Sequence, residues 1–492
     1  MYPLRVMHSR SKRSHLVRLS PFGCALALAL LPSTGIAIAA PPPAAVATTG
    51  PGLLFAHEPV VDHLDNGLTI VTLDFPSPGI TAFFTLIRAG SRDEVEKGRS
   101  GYAHLFEHLM FRGTPKISAE DYEKRLQAMG ADNNAFTTDD FTLYIPLVPK
   151  DALGELIGVE ADRFQHLDVA PAAYKDETGA VLGEFNKDFS DPYLVMDEAL
   201  REMAFKQHTY GHTTIGYRKD VEAMPKAYDY SKSFFERYYT PDDATIFVVG
   251  DVDREKVLAL IRANYKDWSG HRAKPEIKVE PEQTASRSKA LTWKNPTVPR
   301  LQIGYKIPAT GSSLRDVAAL SVLRALLFDE SSALYQRLVV QDQKVIEIGS
   351  DPDDLLHRDP GLFRVDAKLR SGTSFDEIVK AVDDEIAKVA RGEVKPELLE
   401  AVRSHVLNAT SLGLQTPGGV AVQLAFWTAV TDGDVRAFET FAKGVGELTL
   451  ADVSRVAKQY LTPERRNVVT LSPPAPKAAA AVAKAAKNGA KK

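Results

Sequence analysis

Two stretches near the start of the chain carry the pattern of strands: Leu68-Thr-Ile-Val-Thr-Leu-Asp74 and Ile80-Thr-Ala-Phe-Phe-Thr-Leu-Ile87. Both are rich in β-branched and aromatic residues and are flanked by turn formers. At Tyr102 the pattern changes. Tyr102, Leu105, Phe106, Leu109 and Met110 surround a few polar positions, which predicts a buried helix. Asn133-Asn-Ala-Phe-Thr-Thr138 reads as a short strand after a turn at Gly130, and Pro171 suits the first turn of a helix reaching Lys187. The order then returns. Arg300-Leu-Gln-Ile-Gly-Tyr-Lys-Ile307 is strand-like, Arg315–Phe328 helical, and Asn467-Val-Val-Thr-Leu471 strand-like again. Strands, long helices and a closing strand in both halves suggest two copies of one α+β unit.

The polar residues of the first buried helix are chemically specific. They read His104-Leu-Phe-Glu107-His108. Histidines four apart lie one turn from each other on one helix face, so both can reach a single Zn²⁺. Glu107 adjoins the second histidine and can reach a water on that metal without being a ligand. This H-x-x-E-H order is the inverted zinc-peptidase motif, and it suggests hydrolysis by a zinc-activated water with Glu107 as general base. Two histidines and a glutamate in an apolar helix are costly unless paired or coordinated.

A catalytic zinc needs a third protein ligand. Downstream, Glu177 and Glu184 stand seven apart, two turns on one helix face, and pattern alone does not choose between a metal role and a solvated face. Gly179 and Gly183 weaken that helix unless they admit a close neighbour. His208-x-x-x-His212 has ligand spacing as well, but Tyr210 and Gly211 inside it indicate a loop.

Four segments in order resemble the pitrilysin/insulinase metallopeptidases, a family that includes the mitochondrial processing peptidases. They are Gly90-Ser-Arg-Asp-Glu94, His104-Leu-Phe-Glu-His-Leu-Met-Phe-Arg-Gly-Thr114, Asn134-Ala-Phe-Thr-Thr-Asp-Asp-Phe-Thr-Leu-Tyr144 and Tyr238-Tyr-Thr-Pro-Asp-Asp-Ala-Thr-Ile-Phe-Val-Val-Gly250. The resemblance spans roughly residues 60–470. It implies two homologous domains, each a mostly antiparallel sheet with helices on one face, together half a clamshell. It implies one zinc per chain held by His104, His108 and Glu184, the last 76 residues past His108. Glu177 matches a second acidic site residue of the family. Asn134 and Ala135 match a sheet edge beside the zinc, to which an extended peptide adds by main-chain pairing.

One part of the family pattern is missing. Active members carry an arginine and a tyrosine seven residues apart in the copy facing the site. Here the matching stretch, Leu334-Tyr-Gln-Arg-Leu338-Val339-Val-Gln-Asp-Gln-Lys-Val-Ile346, places Val339 and Ile346 there. Arg337 is two residues early, about 200° around a helix. The expected assembly is therefore a heterodimer with an Arg/Tyr-bearing paralogue that lacks H-x-x-E-H.

The ends add a compartment. Residues 1–39 combine a basic start, the apolar run Phe22–Leu31 and Ala37-Ile-Ala39, the layout of a secretory signal peptide. The sole cysteine, Cys24, lies inside it, so the processed chain has no thiol and suits a Gram-negative periplasm or secretion. No later run is long and apolar enough to insert stably in a membrane. Residues 475–492 form an Ala/Lys tail read as disordered. The net charge of −4 falls to −9 without five basic leader residues and to −14 without five tail lysines, which argues against nucleic acid as a partner. The expected domains are 50–272 with the zinc site and 298–474 without it, joined by a polar linker over 273–297. The expected function is an exported zinc endopeptidase subunit acting on peptides or unfolded chains. The rivals are a silent scaffold of the same fold and a zinc- or peptide-binding protein without turnover.

Overall fold

The computed structural model describes Phe55 and residues 57–474, so the expected leader and tail lie outside the described residues. The first half contains strands β1 (Val60–His63), β2 (Thr69–Asp74), β3 (Ile80–Ile87), β4 (Ala135–Thr137), β5 (Thr142–Tyr144), β6 (Leu147–Pro149) and β7 (Ala244–Gly250). Its helices are α1 (Tyr102–Leu109), α2 (Ala119–Met129), α3 (Leu153–His166), α4 (Pro171–Asp188), α5 (Pro192–Ala204), α6 (Arg218–Ala223), α7 (Tyr228–Tyr238) and α8 (Arg254–Tyr265). The second half contains β8 (Arg287–Thr292), β9 (Arg300–Lys306), β10 (Val345–Gly349), β11 (Leu362–Leu369) and β12 (Arg466–Ser472). Its helices are α9 (Leu314–Phe328), α10 (Ala333–Tyr335), α11 (Phe375–Ala390), α12 (Pro396–Leu412), α13 (Pro417–Val430), α14 (Ala437–Glu447) and α15 (Leu450–Tyr460). Residues 269–286 form neither helix nor strand. The stretch expected as linker, 273–297, therefore includes a strand, β8.

The two sheets have one topology. The first runs β1-β2-β7-β3-β5-β4, with β6 also on β3. The second, taken from β8, runs β8-β12-β9-β11-β10 and matches β2-β7-β3-β5-β4 strand for strand. Each has one parallel pair, β2–β7 and β8–β12, among antiparallel neighbours. The approach to the closing strand repeats in sequence too. Tyr238-Tyr-Thr240-Pro241 leads into β7, and Tyr460-Leu-Thr462-Pro463 leads into β12. This is the α+β duplication that the pattern suggested.

Helices do not stay on one face. The face of the first sheet bearing Ile70, Phe83, Ile246 and Val248 packs on its own helices. The opposite face, with Val71, Phe84, Leu86 and Phe247, packs against Val420, Ala421 and Leu424 of α13. In return α5 of the first half covers β12, β9 and β8, with Met196 and Leu200 against Val469 and Leu471. Each half thus lends the other one helix. The physical reason is visible in β3, whose consecutive apolar residues leave both sheet faces needing cover.

Candidate metal centre

Helix α1 begins where the chain has no capping side chain of its own. Gly101 takes φ 90°, and a Cβ there would lie 2.5 Å from the Ile215 carbonyl oxygen. Glu94 supplies the missing cap. Its carboxylate accepts the N–H groups of Gly101 at 2.6 Å and Ala103 at 2.7 Å. Burial pushes its pKa well up, against those backbone bonds. Leu105, Phe106 and Leu109 are buried, which fixes the rotation of α1 and turns His104 and His108 towards α4.

Across from α1, Glu184 presents Oε2 at 3.7 Å from His104 Nε2 and 3.5 Å from His108 Nε2. Ligand atoms of the three residues all lie within 4.8 Å of one another, the sole such group among the described residues. Tetrahedral zinc at 2.0–2.1 Å sets its ligands about 3.3 Å apart. Two imidazoles and a carboxylate at this spacing fit that ion. Glu184 and His104 are partly exposed, so the cluster opens to solvent on their side.

Glu177 stands behind the ligands, not among them. Its Oε1 meets His108 Nδ1 at 2.9 Å, and its Oε2 pairs with Arg112. Burial would raise its pKa, but the hydrogen bonds from His108 and Arg112 hold it below the ordinary range. For His108, burial opposes the charge while Glu177 and Glu184 favour it, and the imidazole is pushed up to about 10. A metal ion held there would displace that proton. A carboxylate on the distal nitrogen fixes the tautomer and orientation of a ligating histidine.

Glu107 is half-buried, and its pKa is raised by burial, against His108 and Thr137. Thr137 Oγ1 donates to Glu107 Oε2 at 2.7 Å. Thr137 lies on β4, the end strand of the first sheet, with Ala135 two residues earlier on the same face. Asn134 Oδ1 accepts the N–H of Ala135 at 2.9 Å. The β4–β5 turn is tied to both halves. Asp139 accepts from Ser91 and Arg201, and Asp140 accepts from Tyr210 and from the Arg358 N–H.

The structure thus brings together His104, His108, Glu184, Glu107 and Glu177, with Asn134 and Ala135 on the adjacent edge. Glu94, Arg112 and Thr137 were missed, although all three lie within the segments that carry the family resemblance. Gly179 and Gly183 do not admit a neighbour, since a Cβ at either meets nothing within 4 Å. His208 and His212 flank a 3₁₀ turn, as expected of a loop, and bond to Asp359 and the Thr213 carbonyl. The Arg337 stretch is not one helix. It passes from α10 into a π-helical Gln336–Gln341, and Ile346 lies on β10. The wider π turn removes the basis for the 200° offset of Arg337.

Two family profiles match the chain: insulinase (peptidase family M16) over residues 79–218 and peptidase M16 inactive domain over residues 227–406. Zinc protease PqqE of Helicobacter pylori is 25% identical over 423 residues, which cover 85% of this chain and 93% of that protein. The crystal structure of a protease from Helicobacter pylori matches with a TM-score of 0.79 at 25% identity, covering 85% of this chain and all of that one (100%). The periplasmic protease PqqL of Escherichia coli matches with a TM-score of 0.67 at 19% identity, over 84% of this chain but 47% of that one.

Proposed function

The chain belongs to the insulinase family, peptidase family M16, and from that premise we propose that it is the zinc-bearing subunit of an exported endopeptidase. The observation that carries this reading is the convergence of His104, His108 and Glu184 on one point, with Glu107 adjoining them. Zinc bound there would supply Lewis-acid activation of a water. The chain's own residues do the rest. Glu107 takes the proton of the attacking water and returns it to the departing amine. Glu177 holds His108 in place and is itself held by Arg112. The β4 edge at Asn134 and Ala135 receives an extended peptide by main-chain pairing, a sequence-tolerant mode suited to peptides and unfolded chains. The match described as an inactive domain, residues 227–406, begins after His104, Glu107, His108, Glu177 and Glu184, all of which lie within the insulinase match.

The assembly part of the proposal is a heterodimer. This chain corresponds to about half of the longer periplasmic relative. The described residues include no second half that closes over the zinc and excludes water. A partner carrying the Arg/Tyr pair would supply that half, since Val339 and Ile346 supply neither group. The expected leader supports a periplasmic or secreted location. Among the described residues, no helix is long and apolar enough to cross a membrane.

The test is peptide cleavage by the purified zinc-loaded chain, alone and co-expressed with its exported paralogue, with Glu107→Gln as control. Turnover that requires the partner and is lost in the control is expected. High turnover by the chain alone overturns the heterodimer. Zinc binding with no cleavage in either form overturns the peptidase reading in favour of a scaffold.

A further inference from the structure

Strand β4 has two outward-facing residues. Asn134 pairs with Ile145 and Thr138 with Phe141 by ladder hydrogen bonds of 2.9 Å and 2.8 Å, so the alternate residues, Ala135 and Thr137, direct their main-chain groups to the open edge. An incoming strand needs those groups. One of the two outward N–H donors is engaged: that of Ala135 goes to the Asn134 side chain. The Thr137 hydroxyl donates to Glu107 Oε2 at 2.7 Å. The direction of the hydroxyl bond is fixed, because an ionised carboxylate only accepts. The other contact of that hydroxyl, with Thr142 Oγ1 at 3.5 Å, is much longer than the 2.7 Å bond to Glu107.

Resting on the peptidase reading above, we propose that Thr137 is a positioning residue whose hydroxyl ties the general base to the substrate-pairing strand. The Thr137 hydroxyl holds the Glu107 carboxylate against the strand. An extended peptide pairs with Ala135 once the Asn134 side chain swings aside. The base, tied to the same strand two residues on, is thereby held beside the paired peptide.

The experiment uses the full chain with the partner that supports turnover. Thr137→Val removes the hydroxyl at constant shape, and Thr137→Ser keeps it. The valine variant should lose about tenfold or more in kcat, with KM and zinc content within about twofold of the parent. The serine variant should stay within about threefold. A valine variant with unchanged kcat, a serine variant as slow as valine, or a loss confined to KM or zinc overturns the proposal. A second arm needs no turnover. In the zinc-free chain, thermal melting of Thr137→Val, Glu107→Ala and the double variant forms a cycle. The valine change should lower the melting temperature when Glu107 is present and have no further effect when it is absent. Additive shifts overturn the Thr137–Glu107 link while leaving the peptidase reading intact. Absence of any cleavage by the loaded complex overturns both.

Discussion

After its long central strand, each half of the molecule builds a buried helix, and the two helices could hardly differ more in content. In the first half β3 leads to α1, which places His104, Glu107 and His108 among buried apolar residues. In the second half β9 leads to α9, buried along most of its length and without a histidine or glutamate. The later helices repeat the contrast. Helices α4 and α12 both begin with proline, and counting from it sets Glu177 and Glu184 against Val402 and Ala409. Helix α12 shows that the fold closes with no polar group at these two places. Glu177 and Glu184 are therefore not demanded by the fold, and the buried Glu177 burdens it through desolvation. Their retention beside one another is an argument for chemistry.

Several experiments break or sharpen that contrast. The largest effect is expected from Glu107→Gln, which should keep zinc and lower turnover by about 10²–10⁴-fold. Metal analysis and kcat on the same preparation check it, and no position of α9 should respond comparably. Next come the two glutamates of α4. Glu184→Gln should empty the site, because a neutral amide is a poor ligand. Glu177→Gln should weaken zinc binding by only about 10–100-fold, the range for a residue that orients a ligand. Chelator competition ranks them, and the reverse ranking would exchange their roles.

A third test moves to the second half. Lys306 holds the place of Arg88 in the strand alignment. Arg88 stands 3.6 Å from Asp243, whereas Lys306 is buried over the Phe205 ring with no ion-pair partner within bonding distance. Burial lowers its pKa from 10.5 to about 7. A folded-state pKa below the unfolded value means that this amine subtracts from stability most at and below pH 7, and the penalty fades as pH rises towards 10.5. Lys306→Met should therefore stabilise at pH 7 by roughly 1–3 kcal/mol and gain less at pH 9. Urea unfolding at the two pH values measures it. Smallest of all, Gly179→Ala and Gly183→Ala should each stabilise by about 0.5–1 kcal/mol without altering zinc content, since nothing lies against either position.

Legibility in the sequence followed the range of the interactions. The α1 histidines were readable because a helical period alone puts residues four apart together. The strands β2, β3, β9 and β12 were readable from short apolar runs. Glu184 as third ligand came only through the family resemblance, because its partner is a helix 70 residues away in sequence and geometry decides the pairing. Thr137 was invisible for the same reason, since its role depends on α1 lying against the edge of the first sheet. The exchange of α5 and α13 was also missed. Helix α13 is apolar and α5 amphipathic, both of ordinary length, and no local pattern says whose sheet they cover. The stretch around Arg337 failed differently, because a π-helical turn leaves no mark in hydrophobic spacing.

The mutual loan of helices bears on what happens if the chain is cut. Residues 269–286 are the one long extended connection between the halves, and an endoprotease that severed it would free nothing. Each fragment would still grip a helix belonging to the other, α5 under the second sheet and α13 under the first. The nicked molecule should sediment as one particle and melt in one transition. The same clasp makes the chain a natural split protein: two fragments expressed apart would each lack a lid, and would recover it only by finding each other.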